Sequence, residues 1–195
     1  MKKSNEVTLK IKGSMENFKK NLKEKGYVEK EHFILYDVFM IPENLKLEEL
    51  STREIISKAI IIRMVEDITK NEIRRDMSYK MKKFNDNGEI LEQKSIRLKV
   101  QDCQDAETFM SAIGYKKLMN IIEEDFAYQK DGFELMTKAV KNGDNMIEAE
   151  TQIDNKNLDT IDKIKKVLEG EELPLDFSDC FIKKAEIELN KILNR

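Results

Sequence analysis

The chain has one histidine, two cysteines, two prolines and seven glycines in 195 residues, and each scarcity excludes a class of chemistry. Cys103 and Cys180 stand far apart and belong to no CxxC motif, so neither a zinc site nor a thiol redox motif is expected. Two reduced thiols fit a cytoplasmic protein. The single histidine, His32, lies between Glu31 and Phe33 in a strand-like stretch. It reads as structural or exposed, not as the base of a Ser-His-Asp or Cys-His system. The scattered glycines form neither GxGxxG nor GxxxxGKS/T, so a glycine-rich phosphate loop is absent. Charge of one sign is also lacking: 35 Lys and Arg against 38 Asp and Glu give a net charge of -3. General affinity for nucleic acid, which rests on a basic excess, is therefore not expected. The longest apolar run, AIII at 59–62, is too short to cross a membrane. The opening MKKSNEV has no apolar stretch behind its lysines, so no signal peptide is expected.

What the chain does have is 40% apolar and 37% charged residues, enough for one well-cored domain with a highly charged surface. In EVTLKI, Val7, Leu9 and Ile11 alternate with Glu6, Thr8 and Lys10, the pattern of a half-buried strand. SMENFKKNLKEKGY at 14–27 predicts a helix: Met15, Phe18 and Leu22 recur at helical spacing, Ser14 suits the N-cap and Gly26 the stop. Residues 27–40 read as strand, and 44–58 as loop or helical turn. Three strands follow, AIIIRMVED, RDMSYKMKKFN and EQKSIRLKVQD, with NDNGE at 85–89 as a hairpin turn between the last two. DAETFMSAIGY at 105–115 then echoes the first helix, with Glu two residues before Phe and a closing Gly-Tyr. KLMNIIEEDFAYQK, GFELMTKAVKN and NMIEAETQI give three more strands, and DTIDKIKKVLEG and IKKAEIELNKIL two closing helices. The class is α+β, mostly antiparallel, with two half-sheets that pack or close around each other.

The polar faces of these strands carry both signs of charge. They offer Glu6, Thr8, Lys10, Arg63, Ser78, Lys80, Lys82, Arg97, Lys99, Gln101, Glu123, Asp125, Glu134, Lys138, Glu148 and Glu150. Antiparallel sheets commonly wet one face, so these charges can simply pair across strands in water. Turned inward, the same faces would line a polar interior. Lys and Arg there suit a polyphosphate, and carboxylates suit Mg²⁺ or Mn²⁺. Spacing alone leaves both arrangements open.

The order of EVTLK at 6–10, IIIR at 60–63, MSYK at 77–80, the arginine-led strand at 97, the Gly-Tyr after the second helix and IEAE at 147–150 resembles the CYTH superfamily. That superfamily contains class IV adenylyl cyclases and thiamine triphosphatases, the triphosphate tunnel enzymes. The resemblance implies an eight-stranded antiparallel β-barrel, or tunnel, built from a duplicated β-α-β-β-β unit with flanking helices. It spans one domain over 1–195, with halves of about 1–102 and 103–155 and C-terminal helices in 157–195. It implies Mg²⁺ or Mn²⁺ at Glu6, Glu148 and Glu150, and phosphate at Lys10, Arg63, Lys80 and Arg97. The implied activity is metal-dependent hydrolysis of a triphosphate-containing compound, with an adenylyl cyclase as a sub-case; no residue presents itself as the general base. The implied partner is a small-molecule polyphosphate or nucleotide, without nucleic acid or membrane, and a homodimer is left open.

The departures from the motif are as specific as the matches. Thr8 stands where the middle Glu of ExExK is expected, and Ile61 replaces an Arg. Lys99 and Gln101 replace acids, Glu123 and Asp125 replace bases, and Lys138 falls near an expected Asp. A ring of charges swapped in this way can remain paired within itself. The alternative reading is therefore a catalytically degenerate relative that binds a nucleotide, a polyphosphate or another anion.

Overall fold

The structure, a computed structural model, describes residues 6–84, 90–152 and 154–195, with side chains described outside 82–93. Its strands are β1 (Glu6–Ile11), β2 (Val28–Pro42), β3 (Ile60–Asp67), β4 (Glu72–Phe84), β5 (Ile90–Lys99), β6 (Tyr115–Lys130), β7 (Phe133–Val140), β8 (Asn145–Glu150) and β9 (Leu175–Asp176). Its helices are α1 (Met15–Glu24), α2 (Thr52–Ser57), α3 (Cys103–Ala112), α4 (Ile161–Gly170) and α5 (Lys184–Leu193). The α+β class and antiparallel pairing agree with the sequence reading. The strands hydrogen-bond in the order β5-β4-β3-β2-β6-β7-β8-β1-β9. The order has two ends, β5 and β9, and one strand more than the eight expected. The extra strand is β9, which pairs Lys10 with Asp176 and Ile11 with Leu175; two residues are too few to show an alternation.

The expected hairpin turn at 85–89 lies outside the described residues, as does the side chain of Lys82. The flanking strands pair antiparallel, with Ser78 opposite Arg97. The ambiguous stretch 44–58 resolves into a short 3₁₀ turn at Leu47–Glu49 and α2. Ser51 and Glu54 start α2 with a capping box, each accepting the other's backbone N–H.

The chain forms two compact units. The first comprises residues 1–34 and 123–184, the second 35–122 and 185–195. In the first unit, Val7, Leu9 and Ile11 of β1 join Ile147 and Ala149 of β8, Leu135 of β7 and Tyr128 of β6 in one core. Helix α1 adds Phe18 and Leu22, and α4 adds Ile164 and Leu168, all four fully buried. Apolar residues three and four apart give each helix one stripe, and that stripe covers the apolar sheet face. In the second unit, Met40 and Ile62 pack with Ala106 and Met110 of α3. The two echoing helices differ here. Phe18 is fully buried, whereas Phe109 is 59% exposed and Met110 takes the inward position. Both helices are followed by a glycine at positive φ, Gly26 at 85° and Gly114 at 89°, where an L side chain would be strained.

Candidate functional site

The register of the first unit aligns the opposite face of its sheet. Glu6 stands across from Glu150, Thr8 from Glu148 and Lys10 from Met146. On the next pair Glu148 faces Met136 and Met146 faces Lys138. Beyond that Lys138 faces Asp125. Alternation places Glu123 two residues from Asp125 on the same side of β6. One face thus gathers Glu6, Thr8, Lys10, Glu123, Asp125, Lys138, Glu148 and Glu150. It is not simply a wetted face: Thr8, Glu123 and Asp125 are each under 5% exposed.

Carboxylate oxygens of Glu6, Glu148 and Glu150 lie within 4.8 Å of one another. The three residues come from strands some 140 positions apart in sequence, brought together by the β1–β8 pairing. They are the three for which the resemblance implies a metal. Hard divalent cations take oxygen ligands at about 2.0–2.6 Å, so donors at this mutual spacing can share one ion. Thr8, across from Glu148 on the same face, has its Oγ1 buried without a hydrogen-bond partner. The donor set therefore fits Mg²⁺ or Mn²⁺.

Lysines already neutralise much of this charge. Lys138 Nζ lies 2.9 Å from Glu148, Lys183 donates to Glu6 and Lys184 donates to Glu123. Burial alone would lower the Lys138 pKa, but Glu148, Glu123 and Asp125 outweigh it and the net shift is upward. Asp125 is pushed up to about 7, first by burial and then by the Glu123 charge, with Lys138 and Lys184 opposing. One oxygen each of Asp125 and Glu123 has no hydrogen-bond partner. Asp125 and Lys138, two of the positions read as departures from the motif, occupy directly paired positions.

The residues assigned to phosphate are placed as follows. Lys10 lies in the first unit, half exposed, 3.1 Å from Asp144. Arg63, Lys80 and Arg97 lie in the second unit. Arg63 Nε and Nη2 donate to the two oxygens of Asp37 at 2.5 and 2.6 Å, with the Asp37 side chain 1% exposed. Arg97 stands 3.5 Å from Asp76 and is 59% exposed. Lys80, in β4, stands opposite Ser95 of β5.

Sequence reasoning passed over Asp37, Lys183 and Lys184. Asp37 sits in the imperfect alternation of β2. Lys183 and Lys184 read as the start of an ordinary helix, and only the return of 180–184 beside β1 reveals them. The Thr8 N–H donates to the Cys180 carbonyl at 3.0 Å, which fixes that return. His32 is structural: its ring stacks on Phe126 at 4.1 Å and Nε2 pairs with Glu124 at 2.8 Å. Both cysteines are free thiols. Among the described residues no helix is long and apolar enough to cross a membrane.

No protein-family model matches the chain, and no curated protein matches it in sequence. Solved structures do match in fold. The PH1819 protein of Pyrococcus horikoshii superposes with a TM-score of 0.67 at 16% identity, covering 96% of this chain and 99% of that one. A candidate adenylyl cyclase of Hippeastrum with a dominant triphosphatase activity gives 0.59 at 13% identity, covering 92% and 91%. A candidate adenylate cyclase of Vibrio parahaemolyticus gives 0.57 at 10% identity, covering 98% of each. At these identities the likeness is one of fold.

Proposed function

We propose that this chain holds Mg²⁺ or Mn²⁺ through Glu6, Glu148 and Glu150 and uses it to bind and hydrolyse a triphosphate-containing compound. Inorganic triphosphate, thiamine triphosphate and nucleoside triphosphates are the candidate substrates. The observation that carries this reading is the meeting of three glutamates within 4.8 Å at the positions matching the CYTH metal ligands. A fold shared with a triphosphatase-active protein supports it. A bound divalent cation supplies charge neutralisation and polarisation of a phosphoryl oxygen. Glu6, Glu148 and Glu150 would hold it, and the Thr8 hydroxyl would complete their oxygen set. Lys10, exposed on the same face of β1, would receive phosphate oxygens after exchanging Asp144 for them. Arg63, Lys80 and Arg97, for which the resemblance implies a phosphate role, belong to the second unit. Hydrolysis is preferred to cyclisation because the fold neighbour from Hippeastrum carries a dominant triphosphatase activity.

A second reading has its own observation. Lys138 and Lys183 are engaged with two of the three glutamates, and Glu123 and Asp125 set negative charge where a triphosphate needs positive. A catalytically degenerate relative, binding a nucleotide or polyphosphate without turnover, accounts for that pairing. Calorimetric titration of the metal-stripped protein with tripolyphosphate, with and without Mn²⁺, followed by a phosphate-release assay, separates the two. Binding that needs Mn²⁺, is lost in Glu150→Gln and is followed by phosphate release supports the hydrolase. Binding without release selects the degenerate protein. No binding in folded protein sinks both.

A further inference from the structure

We infer that Lys183 is a built-in counter-cation of the glutamate cluster, and that a divalent cation enters by displacing its ammonium. The inference rests on the cation reading above and names the residue that sets that site's affinity.

Lys138 and Lys183 both engage the cluster, and they differ in what holds them. Lys138 is an interior position of β7, its side chain only 16% exposed, paired with Glu148 and standing across from Asp125. Moving it would take a cation away from Glu148, Glu123 and Asp125 at once, which is costly for buried charge. Lys183 belongs to no strand or helix; it precedes α5 by one residue. Its backbone neighbourhood is fixed from two sides. Upstream, the Thr8 N–H holds the Cys180 carbonyl and Phe181 bridges to Thr8. Downstream, Lys184 holds Glu123. Only the side chain need move for Lys183 to release Glu6, and at 20% exposure it borders water. A lysine ammonium is a strongly hydrated point charge on a flexible four-carbon stem, so it regains much of its solvation on leaving.

Charge accounting favours the exchange. A divalent ion brings one more positive charge than the ammonium it displaces, and supplies one centre that all three carboxylates can face. Without metal, Lys183 offsets the like charge that Glu6 brings beside Glu148 and Glu150. The lysine therefore preserves the arrangement when empty of metal and competes with the metal for it.

The test is calorimetric titration of the full-length, metal-stripped protein with Mn²⁺ alone, for wild type, Lys183→Met, Lys183→Gln and Lys183→Arg. Lys183→Met keeps the apolar stem, and Lys183→Gln is the second neutral variant in case Met perturbs folding. Circular dichroism and exchange of the Thr8 amide check that the 180–184 segment stays in place. Affinity for Mn²⁺ at least tenfold tighter in both neutral variants, with Lys183→Arg close to wild type and the gain abolished by adding Glu150→Gln, supports displacement. Neutral variants that lose stability but bind Mn²⁺ as wild type does would overturn the inference, reducing Lys183 to a structural ion pair, while the cation site survives. Absence of Mn²⁺ binding in wild type and neutral variants alike would overturn the cation site and this inference together.

Discussion

At the residue scale the charged side chains divide by what they would leave behind if removed. Arg63 is the clearest case. Its two parallel hydrogen bonds to a carboxylate buried to 1% exposure make it a structural partner whatever else it binds. Taking one member from a buried pair costs about 3–5 kcal/mol because the other charge keeps its desolvation penalty. Arg63→Met is accordingly expected to lower unfolding stability by about 3 kcal/mol in urea titrations, and Asp37→Asn to add much less on top of it. Asp125 behaves oppositely. Its folded pKa lies near 7, raised by burial and then by Glu123, so the folded state holds this proton over a range where the unfolded chain has lost it. Stability from this group therefore falls as pH rises from about 4 to 7 and stays reduced above that. Asp125→Asn, which keeps the shape without the charge, should raise the melting temperature most at pH 8 and progressively less towards pH 4. An equal gain at every pH would show that the carboxyl does not titrate in this window. Glu6, Glu148 and Glu150 were legible as polar-face residues because each alternates with apolar neighbours in its strand, while a metal role for them came only from the resemblance. Lys183 and Lys184 were not, since no periodicity marks a loop residue that returns to a strand made at the opposite end of the chain.

At the element scale, legibility followed length and capping. β1, α1 and β8 announce themselves through strict alternation or a capped apolar stripe, whereas β9 has two residues and nothing to alternate. The ends of the helices were set by individual caps of unequal strength. Asp102 accepts the amides of Gln104 at 2.7 Å and Asp105 at 3.1 Å at the start of α3. Ser14 accepts only that of Asn17, at 3.3 Å, at the start of α1. An ionised acceptor satisfying two orphan amides near a helix's positive end gains more than a hydroxyl satisfying one. Asp102→Ala should therefore cost about 1 kcal/mol and Ser14→Ala less than half that, compared by urea unfolding. The reverse order would mean that α3 draws its stability from Met110 and Ala106 in the core, with the cap incidental. The same helix shows where an internal echo misleads. Phe109 repeats the sequence position of Phe18 but is exposed, because burial follows the face a helix turns to its sheet and not its offset from Gly-Tyr.

At the scale of the whole molecule, the two units are interleaved along the chain, and this is why composition gave no sign of them. A boundary visible in sequence needs a linker, and the scarce prolines and glycines supply none. The chain passes from one unit to the other within β2, again within β6, and once more at the start of α5. Two of these passages fall inside continuous strands, whose ladders cannot fray at a linker that does not exist. Each unit keeps its own core: Leu9 and Leu168 belong to the first, Ile62 and Met110 to the second. A core deletion in one unit thus asks whether the other feels it. Leu168→Ala removes a fully buried side chain and should cost about 2–5 kcal/mol through lost burial and the cavity left behind. If the shared strands enforce a single transition, hydrogen exchange will report the same loss at the Leu9 amide and at the Ile62 amide, 53 positions away. A loss at Leu9 with Ile62 unchanged would mean that the units open separately despite their common strands. In that event a cation held by Glu6, Glu148 and Glu150 would stabilise the first unit alone, since all three ligands lie within it.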